Sequence, residues 1–209
     1  IKSISGIRGT IGGVPGDNLT PIDVVRFVSA FGTLIKQRSG RTRPVCVVGR
    51  DARLSGPMVG DLVRATLTGL GFDVIDLGLA TTPTVEMAVP GEGADAGIIL
   101  TASHNPAQWN ALKLLNAHGE FISAADGAEM LRIADDGLFD FARIDHLGSV
   151  RKNDSWTQKH INAILALDLV DVAAIKARNF KVVVDAVNSV GGIAVPLLLK
   201  ALGVKEVVE

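Results

Sequence analysis

Six short apolar runs, separated by stretches with helical spacing, constrain this chain more than any single residue does. PVCVVG (44–49) and AGIIL (96–100) read as buried strands, and FDVIDLG (72–78) and LKLLN (112–116) as further strands. KVVVD (181–185) and VKEVVE (204–209) repeat the pattern further along. Between the runs, residues 21–36 space apolar side chains at helical intervals, with Thr20 as N-cap and Pro21 at the first helical position. Helices are also expected over 57–70, ended by Gly71, and from Thr82-Pro83 to about Val89. Two more are expected from Ser123 to about Ala134 and over 155–167, and IAVPLLLKALG completes a β-α-β unit with the last two runs.

Parallel strands need a crossover, and a helical crossover covers a face of the sheet. The alternation therefore predicts a three-layer α/β/α domain with a mostly parallel mixed sheet, followed by the start of a second similar α/β domain. Residues 135–153 (DDGLFDFARIDHLGSVRKN) turn polar and irregular and are the best linker, which puts the first domain at 1–150 and the second at 151–209. The chain stops in KEVVE, inside an apolar run, so the expectation is that the second domain is cut short.

Composition excludes several functions. Basic and acidic residues number 21 and 22, for a net charge of −1, so no global field favours nucleic acid or a membrane surface. Aromatics make up 4% and Tyr is absent, which argues against stacking platforms for single strands. No apolar run approaches the roughly 20 residues that span a bilayer, and IKSISGIRG lacks the apolar core of a signal peptide. Cys46 is the single cysteine and has no partner for an internal disulfide. These points lead to an expectation of a cytoplasmic protein.

The chemistry is concentrated in GIILTASHNPAQWNALKLL (97–115). An apolar strand opens into a hydroxyl, an imidazole and an amide, then closes at Pro106 and resumes as a strand. In an open α/β sheet, ligands bind in loops beyond the carboxyl ends of strands. Pro106 fixes its own φ and biases Asn105 towards extended backbone, so Ser103 is presented on a constrained loop. An ordinary turn would use the same residue types. A Ser–His hydrolase is a poorer fit. Ser103 and His104 are neighbours whose side chains are expected to diverge, and there is no G-x-S-x-G elbow. An exposed serine beside His, Asn and a nearby Lys suits a phosphoryl carrier, because cations and donors stabilise a transferring phosphate.

TASHNPAQWNALK resembles the active-site loop of the α-D-phosphohexomutases, usually T-[AG]-S-H-N-P followed by N-G-x-K. SGIRGTIG (5–12), GRDARLSG (49–56) and VVVDAVNSVGG (182–192) resemble three further family stretches, in the expected order. One departure is Ala111, where the family often has Gly. The resemblance implies that Ser103, as phosphoserine, passes phosphate between C1 and C6 of a hexose phosphate through a hexose 1,6-bisphosphate. It implies Mg²⁺ held by the Ser103 phosphate and by three aspartates of a D-G-D-x-D-R loop that would lie beyond Glu209. It assigns catalytic roles to Ser103, Lys113, His104 and Arg8, and substrate contacts to Arg8, Asn105 and Lys113.

The alternatives are a non-catalytic sugar-phosphate-binding module and a phosphoserine-dependent phosphatase. Asp135, Asp136 and Asp140 read as a solvated face, not a metal cluster. His118 and His160 read as surface residues. Arg50, Asp51 and Arg53 fit either an ion-pair network or a cleft wall. NSVGG (188–192) reads as a plain helix start, although such a turn can cradle phosphate.

Overall fold

In a computed structural model, residues 2–3 and 6–209 are described. Strands β1 (Lys2–Ser3) and β2 (Gly6–Thr10) precede α1 (Pro21–Ser39). β3 (Val45–Arg50), α2 (Gly56–Gly69), β4 (Asp73–Leu79), α3 (Thr82–Gly91) and β5 (Ala96–Leu100) follow as a regular alternation. β6 (Trp109–Leu115), α4 (Ala124–Asp136) and β7 (Val150–Lys152) complete the first unit. The remainder holds α5 (Trp156–Leu165), α6 (Val172–Ala177), β8 (Lys181–Val183), α7 (Gly191–Ala201) and β9 (Glu206–Val208).

The expected caps are present. Thr20 and Asp23 form a capping box at α1, and Ser123 and Asp126 form another at α4. Each satisfies backbone N–H groups that a helix start otherwise leaves open. Gly71, at φ +90°, turns the chain from α2 into β4.

Seven strands form one sheet in the order β1-β2-β6-β5-β3-β4-β7. β5, β3, β4 and β7 pair in parallel, while β1, β2, β6 and β5 pair antiparallel in succession. Five strands therefore point one way, and β1 and β6 oppose them. Alternate residues of a central strand enter different layers. Cys46, Val48, Ile98 and Leu100 pack against α1, α2 and α4. Val47, Ile75 and Ile99 pack against Val85, Ala88 and Val89 of α3 and against Trp156 of α5. Burial on both faces is why these runs lack an alternating polar position. β8 and β9 form a separate parallel pair bridged by α7, the β-α-β unit expected from the sequence.

Three elements differ from the reading of the sequence. SGIRGTIG holds strand β2, and α6 was not anticipated. The polar stretch 135–153 is bound to the first unit along its length. Lys36 pairs with Asp140 at 2.7 Å, Gly148 N donates to Thr68 O, and β7 pairs with β4. Its polarity reflects a strap laid over the outside of α1 and α2, where one side stays wet.

Candidate active site

Strand β5 ends at Leu100, and the chain runs through Thr101–Gln108 before returning as β6. Ser103 is exposed on this loop with φ +53°, a left-handed backbone that non-glycine residues seldom adopt. Its N–H donates to Thr101 Oγ1 at 3.2 Å. Asn105 closes the turn from inside, with both N and Nδ2 donating to Ala102 O (3.0 and 2.7 Å). The Asn105 amide nitrogen is thus used within the loop. The left-handed turn also corrects one expectation: Ser103 Oγ lies 3.4 Å from His104 Nδ1, so the neighbouring side chains converge. This is a long contact, and among the described residues no carboxylate orients His104 into a triad.

The register of the antiparallel strands assembles the cations. Arg8 of β2 lies directly across from Ala111 of β6, and Lys113 follows two residues later on the same face. Ile7 and Leu112, on the other face, are buried in the core. Gly6, Arg8, Thr101, Ala102, Ser103, His104, Ala111 and Lys113 line a cleft of about 220 Å³. Among the described residues neither Arg8 nor Lys113 has a carboxylate partner; the Lys113 Nζ lies 5.6 Å from the centre of the Phe121 ring. Ala111 sits in regular paired strand without positive φ, so the departure from the family's glycine leaves the backbone unchanged.

On its other side Ser103 borders a cavity of about 470 Å³, lined by Asp51, Ala52, Arg53, His104, Asn105, Ala107 and by Val187, Asn188 and Ser189. The second unit thus contributes a wall. Val187 (φ +45°) and Asn188 (φ +58°) are both left-handed, which is a strained state for β-branched Val187. The sequence reading of NSVGG as a plain helix start missed this placement. The signal available was the Asn at 188, a residue type that tolerates such backbone.

Arg53 belongs to the site and not to its surroundings. Its Nη1 donates to Pro106 O and Trp109 O (both 2.9 Å), and its Nη2 to Ser103 O (2.8 Å) and Asn105 O (2.7 Å). Asp51 sits beneath it, with Oδ2 3.4 Å from Arg53 Nε and Oδ1 accepting from Arg53 N at 3.0 Å. Arg50, by contrast, caps Asp51 O and lies outside the cleft.

The remaining candidates fall elsewhere. Asp135, Asp136 and Asp140 pair with Arg26, Arg132 and Lys36, as a solvated face would. Among the described residues no group of three His, Cys, Asp or Glu is placed to hold a metal. Asn110 is buried and structural, donating to Ser55 Oγ at 2.9 Å. His118 is exposed, as read. His160 is not a surface residue: it is half-buried, its Nδ1 lies 2.9 Å from Thr84 Oγ1, and burial lowers its pKa. Among the described residues no helix is long and apolar enough to cross a membrane.

A mixed sheet between helical layers, with a serine loop at the carboxyl ends of its strands and cations on the adjoining strands, defines a three-layer α/β domain with a cleft suited to an anion. Residues 2–139 match the family described as phosphoglucomutase/phosphomannomutase, alpha/beta/alpha domain I, and the chain belongs to that family. It is 42% identical over 203 residues to a phosphoglucomutase/phosphomannomutase of Thermococcus kodakarensis, covering 95% of this chain and 43% of the relative. It is 34% identical to a phosphoglucosamine/phosphogalactosamine mutase of Sulfurisphaera tokodaii, covering 96% of this chain and 42% of that one. A solved phosphoglucomutase/phosphomannomutase family protein of Burkholderia thailandensis superposes with a TM-score of 0.77 at 30% identity, covering all of this chain and 44% of the other. The chain therefore spans less than half the length of the relatives it matches.

Proposed function

We propose that this chain is the phosphoryl-carrying portion of a phosphohexomutase, with residues 1–150 as the phosphoserine-loop domain and 151–209 as the opening of a second α/β domain. Its relatives' names range over gluco-, manno- and amino-sugar phosphates, so the substrate class is hexose phosphate. The observation that carries the reading is Ser103 itself. It is exposed and left-handed, at the mouth of a cleft where, among the described residues, Arg8 and Lys113 have no carboxylate partner.

Phosphoserine at 103 would donate its phosphoryl group to the C1 or C6 hydroxyl of the sugar phosphate. The Ser103 Oγ–P bond breaks, the sugar O–P bond forms, and the proton of the sugar hydroxyl ends on Ser103 Oγ. The resulting 1,6-bisphosphate turns over and returns its other phosphoryl group to Ser103. Phosphoryl transfer spreads charge over three oxygens, so catalysis consists of positioning and neutralisation. Arg8 matches phosphate geometry with its planar fork. Lys113 would assist the proton at the sugar hydroxyl, His104 would donate or accept at Ser103, and Asn105 keeps the loop closed.

Mg²⁺ would add charge neutralisation at the transferring phosphoryl group. Among the described residues no group of three His, Cys, Asp or Glu is placed to hold it, and a hard cation needs several oxygen ligands, so the Ser103 phosphate would need further carboxylates beside it. A cytoplasmic setting suits the substrates.

The test uses the full-length protein and labelled hexose 1,6-bisphosphate. Label should map to the peptide holding Ser103 and pass to sugar, and Ser103→Ala should abolish isomerisation. Label on another residue, or label released only to water, overturns the mutase reading; the second outcome would point to a phosphatase.

A further inference from the structure

Arg53 satisfies four carbonyls of one loop with one guanidinium. Those carbonyls, from Ser103, Asn105, Pro106 and Trp109, lie within seven residues of chain, and the side chain that collects them is only 11% exposed. Two of the four bonds, to Asn105 O and Trp109 O, are part-buried, where a carbonyl left without a donor is costly, and Pro106 O also accepts from Trp109 N (3.0 Å). Lysine cannot substitute. It offers three donors around one point, whereas the planar guanidinium presents its N–H groups as a rigid fork.

All four Nη hydrogens are used on carbonyls, so Arg53 has none left on those nitrogens for a phosphate. Its effect on Ser103 is therefore indirect. The peptide C=O of Ser103 is one of the four, and Ser103 sits at φ +53°, a conformation strained for a residue with a Cβ. The loop's own hydrogen bonds engage Ser103 N and Asn105, and the donor to the Ser103 carbonyl comes from outside the loop. Asp51 stands behind the guanidinium as an ion-pair partner, its Oδ2 3.4 Å from Nε, and its Oδ1 accepts from the Arg53 backbone N–H. We propose that Arg53 is a positioning residue that locks Ser103 in its left-handed conformation, so that Oγ stays aimed at the cleft of Arg8 and Lys113. The catalytic part of this inference rests on Ser103 being the phosphoryl carrier; the clamp itself does not.

The experiment compares Arg53→Ala and Arg53→Lys with the unaltered full-length protein. Backbone amide exchange over 102–110 should accelerate at least about tenfold in both variants, with the strands unchanged, because local opening follows local stabilisation. Isomerisation kcat should fall about 10²-fold or more with KM altered less than about threefold, the scale of a 1 Å misplacement. Added guanidinium ion should restore part of the turnover of Arg53→Ala, which leaves a hole of that shape, and not of Arg53→Lys.

Unchanged exchange over 102–110 overturns the clamp whatever Ser103 does. Faster loop exchange with unchanged kcat overturns the link to catalysis. A loss of kcat that follows loss of protection throughout the chain, without guanidinium rescue, reduces Arg53 to general stability and also overturns it. Full turnover by Ser103→Ala would sink the carrier reading separately, leaving the exchange result to decide the clamp.

Discussion

Gly6→Ala should damage the site more than the fold. Gly6 has φ +125°, a region open in practice only to glycine, and it lies on the wall of the Arg8–Lys113 cleft. A Cβ there would overlap the Leu112 carbonyl oxygen and sit 3.2 Å from both Leu112 C and Lys113 Cα. All three are backbone atoms of the paired strand, so no side chain can rotate away. Backbone strain and overlap together set a cost of about 2–4 kcal/mol if β2 keeps its register. The chain has a cheaper escape. β2 can shift away from β6 by about 1 Å or let its first residues peel off, and either response moves Arg8 away from Ser103, at a scale of about 10²-fold in turnover. Stability loss is capped by that escape, while activity loss is not. In the full-length protein we expect kcat/KM for hexose-phosphate isomerisation to fall about 10²-fold, with a Tm decrease of no more than roughly 10 °C. Gly12→Ala is the control: it has φ +87° but open space around a Cβ, so it carries strain without overlap and should isomerise normally. Wild-type kcat/KM in Gly6→Ala would refute the dependence of the site on this strand register.

Other expectations follow from the same geometry. Lys113→Met and Arg8→Met should lower kcat and kcat/KM together by about 10²-fold, and an effect confined to KM would show that these cations only bind substrate. Glu92 is a carboxylate on which Trp156 Nε1 (2.7 Å), Asn153 Nδ2 (3.0 Å), Arg151 and Lys159 converge; burial raises its pKa, but the hydrogen bonds from Arg151, Trp156 and Lys159 outweigh that and lower it. Glu92→Ala leaves the buried indole N–H unpaired and should cost about 2–4 kcal/mol, whereas Glu92→Gln keeps an acceptor and should cost about 1 kcal/mol; equal costs by denaturant unfolding would show that charge dominates. Burial holds the His160 pKa below its ordinary 6.5, so as pH falls below that value the unfolded chain takes up the proton first and stability declines. His160→Gln should flatten the Tm–pH curve in that acid window, and parallel curves for both proteins would rule this out.

What the sequence made legible, and what it did not, divides along a physical line. The central strands and the capped helices were readable because their signals are local: apolar runs, Thr20 with Pro21, Ser123 before α4. Ser103 was readable because a turn-forming stretch interrupts an apolar strand. The short strands β2 and β7 carry little apolar pattern, since β7 is exposed along its length and β2, GIRGT, holds one apolar side chain. Their pairing is set by partners more than 70 residues away in the chain. Arg53 was left undecided for a related reason. Nothing in GRDARLSG says that a guanidinium will meet four carbonyls 50 residues on, because carbonyls are present at every residue and leave no mark in a sequence. The same holds for Val187–Ser189, whose proximity to Ser103 comes from the docking of Trp156 into the α3 side of the first unit. Ser103 was singled out by its loop, and Arg8 and Lys113 by the resemblance of the stretches that hold them. What fixes them in register is mostly backbone, and that is why strand pairing and the Arg53 clamp are where substitutions should separate activity from stability.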